Sequence, residues 1–224
     1  MTCPHCLGIE KEFNADVARR ELGHYRQRGP GKATRLLISE LTRRGLRDST
    51  LLDIGGGVGA VQHAALEAGA TKAIGVDASS AYLAAAKEEA ARRGLQDKVE
   101  HWHGDFVALA PRIPPVDVVT LDRVVCCYPD AGSLVDASAA HARRMYGLVH
   151  PIRTWWMAAA LGLLNLFLRL RGSTFRVYLH PRQEVEDVLE RRGFQNAFHG
   201  RAGVWQVALY LRPGHVRLTH ATET

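Results

Sequence analysis

The chain reads as a single α/β domain with a doubly wound, mostly parallel seven-stranded sheet that ends in an antiparallel hairpin. Three observations predict this. Between residues 50 and 150, short apolar runs alternate with helix-length amphipathic stretches, the pattern of parallel strands joined by crossover helices. The first apolar run ends in a glycine-rich turn, and the next two end in aspartates. After residue 150 the rhythm breaks, and the last two apolar runs are close enough to pair as a hairpin. With 224 residues, 46% of them apolar, the chain can bury one sizeable core.

In chain order, residues 1–8 read as a loose, cysteine-containing tip. Two helices follow at 10–27 and 31–45, split by the turn signal Arg28-Gly29-Pro30-Gly31. Residues 1–45 are thus a tip and helical lid, and 46–224 the core. The first strand is Thr50–Ile54. A helix over 58–68, a strand at 72–76, a helix over 79–94, strands at 98–103 and 115–121, a helix over 131–143 and a strand at 145–149 continue the alternation. Then come an apolar helix at 153–171, an extended piece at 175–180, a polar helix at 182–193 and the hairpin strands 195–200 and 204–211.

Composition excludes several classes. The apolar and charged fractions suit an ordinary globular domain rather than a disordered or fibrous chain. The net charge of +6 is spread as arginine pairs such as Arg19-Arg20 and Arg92-Arg93, the pattern of solvated helix faces rather than of a nucleic-acid site. The first residues carry no apolar run of the secretory kind. The longest apolar stretch, Trp155–Leu168, spans about 14 residues, short of the ~20 a membrane span needs. These features imply a cytoplasmic protein whose four cysteines are thiols or metal ligands rather than disulfides.

The chemistry concentrates at strand ends. In Leu51-Leu-Asp-Ile-Gly-Gly-Gly-Val-Gly59, glycines between strand and helix allow a tight turn and close approach of backbone to a ligand. Asp77 ends the second strand about 20 residues on, where a carboxylate can hold both hydroxyls of a ribose. Asp105, before Phe106, ends the third strand and can accept from an adenine amino group. Asp53, ahead of the glycines, suits a ligand with a cationic end better than a diphosphate. Together these predict an adenosine-containing cofactor bound by Asp53, Gly55, Gly57, Gly59, Asp77, Asp105, Phe106 and Asp122, the last at the end of the fourth strand.

The same motifs resemble those of class I S-adenosylmethionine-dependent methyltransferases, which have a Rossmann-like fold. The resemblance covers about residues 50–150, with Leu51–Gly59 as first motif, Val76-Asp77 as ribose-binding acid and Gly104-Asp105-Phe106 on the adenine side. It implies S-adenosyl-L-methionine as cofactor. Phe13-Asn14, Arg19-Arg20-Glu21-Leu-Gly-His24-Tyr25 and Leu121-Asp122-Arg123-Val-Val-Cys-Cys-Tyr128-Pro129 further resemble the lid and fourth-strand motifs of magnesium-protoporphyrin O-methyltransferases. That resemblance implies roles for Tyr25 and Tyr128, whereas Cys127 stands where that family has a histidine. The expected substrate is therefore a different small molecule, methylated on oxygen or sulfur, with no nucleic acid expected; the alternatives are a nucleic-acid or protein methyltransferase, or a non-catalytic cofactor- or metal-sensing module.

On the acceptor side, Tyr25, Cys127, Tyr128 and His180 are the expected catalytic residues, with Arg123, Cys126 and His150 nearby in the pattern. Cys3-Pro4-His5-Cys6 has metal-ligand spacing but no second Cys-x-x-Cys, so free thiols are expected and no metal ligand is assigned. The helix at 153–171 is apolar nearly all round. It is expected to be buried as a cap over the site or as a dimer surface, with contact to a membrane surface as the alternative.

Overall fold

The computed structural model describes residues 4–214. Its order is α1 (Pro4–Glu12), α2 (Ala15–Arg28), α3 (Lys32–Arg43), β1 (Thr50–Ile54), α4 (Ala60–Glu67), β2 (Lys72–Asp77), α5 (Ser80–Arg92), β3 (Val99–His103), α6 (Phe106–Leu109), β4 (Val116–Asp122), α7 (Ala131–His141), β5 (Ala142–Pro151), α8 (Trp155–Leu170), α9 (Arg182–Arg191), β6 (Gln195–Ala202) and β7 (Trp205–Leu211). The seven strands lie in the order β3-β2-β1-β4-β5-β7-β6. The first five are parallel, and β7 runs antiparallel to both β5 and β6. The strand order reverses direction between β1 and β4, and that switch point opens a crevice at their carboxyl ends.

Strands buried on both faces read as continuous apolar runs. In β1, Leu52 and Ile54 face a core shared with Val119, Leu121, Tyr146 and α7 and α9. Leu51 faces the other way, into a core with Val118, Met145 and the helices α3 and α4. Helix α3 crosses the sheet where β5 has Gly147: a β-carbon there would sit 2.8 Å from Leu37 Cδ1.

The amino-terminal region differs from the sequence reading. The expected helix at 10–27 is two helices, because the Asn14 side chain accepts from the backbone N–H groups of Asp16 and Val17 and starts α2 afresh. Residues from Pro4 onward, expected to be loose, form α1. Cys3 lies outside the described residues. Helix α1 rests on the extended strip 173–180 so closely that a β-carbon at Gly8 would come within 2.5 Å of the backbone N of Phe175, and Phe13 meets Phe175 edge-on at 5.4 Å. The apolar helix also differs from expectation. Helix α8 starts where Thr154 caps it, and it does not cap the site, since only Met157 and Leu168 are buried.

Helix α2 is pinned to α5 by the carboxylate of Glu89, which is wholly buried. It accepts from Arg26 at 2.8 Å, Arg92 at 2.6 Å and Arg93 at 2.8 Å. Hydrogen bonds from Arg92, Arg26 and Arg93 outweigh burial and hold this carboxyl far below the usual range. A depressed carboxylate contributes stability that is present above its unfolded pKa of about 4.3 and is lost as pH falls. Glu89→Gln is therefore expected to cost about 2 kcal/mol at pH 7 in urea unfolding. It should also flatten the acid limb of the stability profile below pH about 4.3; an unchanged acid limb would show that this cluster does not hold the lid.

Candidate active site

The turn after β1 is built from left-handed backbone. Gly55, Gly57 and Gly59 have φ of 62°, 56° and 82°, values that L side chains adopt only with strain. A β-carbon at Gly55 would also lie 2.5 Å from Val124 Cγ2. Gly55, Gly56 and Gly57 line a cavity of about 430 Å³ at the carboxyl ends of β1, β2 and β4, whereas Gly59 caps α4 and does not face it.

Asp77 lines this cavity beside the turn. Its carboxylate accepts from Gly57 N at 3.1 Å and from Ser79 N at 2.8 Å. Burial raises its pKa to about 6 against the pull of these two N–H groups. Asp105 and Phe106 line the cavity at the end of β3. Asp105 caps α6 through Val107 N and accepts from the Tyr128 hydroxyl at 3.2 Å. Asp122 closes the far side. It accepts from Thr34 Oγ1, at the start of α3, at 2.5 Å and from Arg123 Nε at 3.2 Å. Arg123 holds an unusual positive φ of 62°, fixed by its N–H donating to Val149 O at 2.9 Å.

Asp53 is placed differently from expectation. It shares a strand face with Leu51, so its side chain turns under α4 and is fully buried away from the cavity. Thr120 Oγ1 and Gln62 Nε2 donate to it at 2.7 Å and 3.1 Å. It supports the turn from below: a β-carbon at Gly56 would sit 2.4 Å from its Oδ2. Burial raises the Asp53 pKa to about 7.

On the acceptor side, Tyr25, Cys127 and Tyr128 all reach the cavity. Burial raises the Tyr25 phenol, whose hydroxyl lies 3.5 Å from His63 Nδ1 under the Arg93 guanidinium. His63 is fully enclosed, and burial lowers its pKa to about 4, which keeps the ring neutral. Cys126 and Cys127 sulfurs are 3.9 Å apart; hydrogen bonding from Cys127 draws the Cys126 thiol down, and Cys127 itself is pushed up. His180 does not line the cavity. Its Nε2 sits 2.9 Å from the Tyr128 carbonyl oxygen and steadies that loop. His150 is buried at the end of β5, also off the cavity.

Several lining residues escaped the sequence reading. Glu21 and His24 face in from α2, Thr34 from α3 and Tyr82 from α5. The Tyr82 hydroxyl donates to the Glu21 carboxylate, and a β-carbon at Gly57 would touch the Tyr82 ring at 3.5 Å. Glu21 and His24 are three apart on one helix, a spacing visible in the sequence, but which face points inward depends on packing. Helix α1 adds His5 and Cys6 to the cavity wall. His5 packs edge-on against Tyr128 at 4.6 Å. One donor atom each from His5, Cys6 and Asp105 lies within 4.8 Å of the others, a set able to hold a metal ion.

Residues 51–145 match the family model of the methyltransferase domain, and the fold is that of class I S-adenosylmethionine-dependent methyltransferases. The particular proteins it resembles differ in substrate. The magnesium protoporphyrin IX methyltransferase of Synechocystis, solved with its demethylated cofactor product, superposes with a TM-score of 0.70 at 20% identity, covering 91% of this chain and 98% of that one. An O-methyltransferase family protein of Burkholderia thailandensis gives 0.68 at 14% identity, over 91% and 62%. In sequence, the ribosomal protein L11 methyltransferase of Vibrio cholerae is 38% identical over 72 residues, 32% of this chain and 24% of that relative. The match thus spans about a quarter of that curated relative.

The buried carboxyl of Asp53 gives a pH test. Its pKa is raised from an unfolded value near 3.8 to about 7, so the folded state binds a proton that the unfolded state has lost. Its contribution to stability is complete below pH 3.8 and declines as pH rises through about 7. Asp53→Asn is expected to remove this decline. Rotating the Gln62 amide would bring Oε1, which has no partner in the present geometry, onto the new Asn N–H. Thermal unfolding from pH 4 to 8 checks this; a profile parallel to wild type would show that Asp53 titrates normally.

Proposed function

We propose that this chain methylates a small molecule on oxygen or sulfur. The observation that carries the reading is the roof over the cavity. Helices α1 and α2 lie across the carboxyl edge of the sheet, so the space beside the glycine turn is a partly roofed chamber of about 430 Å³, within the range of small-molecule sites.

The residues fit the cofactor. The side-chain-free turn Gly55–Gly57 leaves room against Tyr82, Asp77 presents a carboxylate for ribose hydroxyls, and Asp105 with Phe106 offers an acceptor and an apolar wall for adenine. S-adenosyl-L-methionine supplies, when bound, a methyl group already activated by the sulfonium charge. What remains for the protein is to align the acceptor, exclude water and, for a hydroxyl acceptor, take up its proton. Helices α1 and α2 exclude water. Tyr25, Cys127 and Tyr128 position the acceptor, and His24 and Glu21 are the proton acceptors that the lid brings into the chamber. His180 acts on Tyr128 from behind through its carbonyl. A thiol acceptor that arrives ionised needs no base.

A protein acceptor is the second reading, favoured by the similarity to ribosomal protein L11 methyltransferases. The covered chamber argues for the first. A methyl-transfer screen with isotopically labelled S-adenosylmethionine separates the two. Transfer is expected to at least one of thiols, phenols or carboxylates; transfer to a metalloid alone, or labelling of ribosomal protein with none of these, would replace the proposal. Asp77→Ala is expected to weaken binding of the demethylated cofactor about tenfold in calorimetry by removing charge-assisted hydrogen bonds; unchanged affinity would remove Asp77 from the ribose site.

A further inference from the structure

Helix α8 is an anomaly on the surface. Its 16 residues make a rod roughly 24 Å long. It rests on the domain by one narrow stripe, Met157, Leu161, Asn165 and Leu168, spaced by four, four and three residues. Asn165 is the polar member of that stripe, and its amide is spent inward, donating to Val177 O and accepting from Val177 N. The rest of the helix faces solvent and is apolar. Trp155 is 83% exposed, Leu163 69% and Leu170 78%, with Trp156, Leu166 and Phe167 also open. A soluble monomer rarely exposes a contiguous apolar face of this kind without a partner for it.

The charges around it indicate the partner. Between Pro151 and Gln183 the chain has Arg153, Arg169, Arg171, Arg176 and Arg182, with no lysine and no acidic residue. Arg153, Arg169 and Arg171, at the two ends of the helix, have no acidic partner among the described residues. An apolar face with tryptophans at one end and unpaired cations at both matches the water–lipid boundary of an anionic bilayer, where rings sit among headgroups and cations meet phosphates. No helix among the described residues is long and apolar enough to cross a membrane.

We propose that α8 lies flat on an anionic lipid surface and holds the domain there. The consequence reaches the site through one layer of backbone. The strip 173–180 that α8 grips through Val177 also gives its Tyr178 N–H to Cys126 O at 2.7 Å and carries α1 at Phe175. The docked face is thus joined to the roof and, through Cys126, to the Cys127–Tyr128 wall of the chamber. Docking does not depend on what the enzyme methylates, so the two are tested separately.

The test is cosedimentation of the whole chain with phosphatidylcholine vesicles, with and without about one-third phosphatidylglycerol. Binding is expected only to the anionic vesicles and should weaken as salt rises. Each arginine near the surface is worth roughly fivefold in partitioning. The triple variant Arg153→Gln/Arg169→Gln/Arg171→Gln should therefore lose binding by well over tenfold. Leu163→Ser/Phe167→Ser should lose it at any salt. Both variants change exposed side chains only, so their affinity for the demethylated cofactor should stay at the wild-type value and report that they are folded. Equal binding to neutral vesicles, or no binding to either, overturns the proposal. So does a dimer in sedimentation that Leu163→Ser/Phe167→Ser dissociates, since a second copy would then own the face.

Discussion

The turn between β1 and α4 is the constraint on which the rest of the molecule depends. It reverses the chain at the switch point of the sheet with three glycines in left-handed backbone, and side chains there would either strain the turn or fill the crevice. Everything that makes the site is arranged around this empty space. Asp77 reaches it from β2 and accepts the Gly57 N–H. Tyr82 walls it from α5, and Asp53 with Gln62 supports it from the side of α4. A buried carboxyl under a glycine turn is costly unless it is hydrogen-bonded or protonated, and Asp53 is both bonded and shifted towards the neutral form.

Over this fixed floor lies a roof held by different forces. Helix α2 is tied down by the ion pairs of Arg26 with Glu88 and Glu89 and by the Tyr82–Glu21 contact. Helix α1 is tied by close backbone packing at Gly8 and by aromatic edges at Phe13 and His5. The floor is made of sheet backbone and the roof of side-chain contacts, so local opening of the site is expected to begin with α1 and α2 rather than with the strands. The roof also carries Glu21 and His24, so the helix that covers the chamber also lines it.

The strand rhythm, the hairpin and the acids at the strand ends were legible because each is local. Parallel strands buried on both faces show as unbroken apolar runs, and acids at their carboxyl ends fall on the crevice by topology alone. Asp53 was misplaced because its position one residue before the end of β1 was read as motif and not as face. The alternation of Leu51, Leu52, Asp53 and Ile54 already turns it away from Leu52 and Ile54 and towards α4. The loose tip expected at residues 1–8 is helical from Pro4 on for a different reason. Its helix has weak amphipathicity of its own, and its order comes from the strip at 173–180, far away in sequence.

The sequence by itself determined the doubly wound sheet, the glycine turn and the class of cofactor, because periodicity, turn chemistry and strand-end position are properties of short segments. It also set the charge and apolarity of α8. Tertiary structure alone decided which face of α2 looks into the chamber, which partner His180 takes, how α1 closes the roof, and that α8 is left uncovered on the outside. Those outcomes depend on contacts between segments tens to more than a hundred residues apart. Such contacts are selected by which surfaces remain to be buried once the sheet has formed, and no local pattern encodes that.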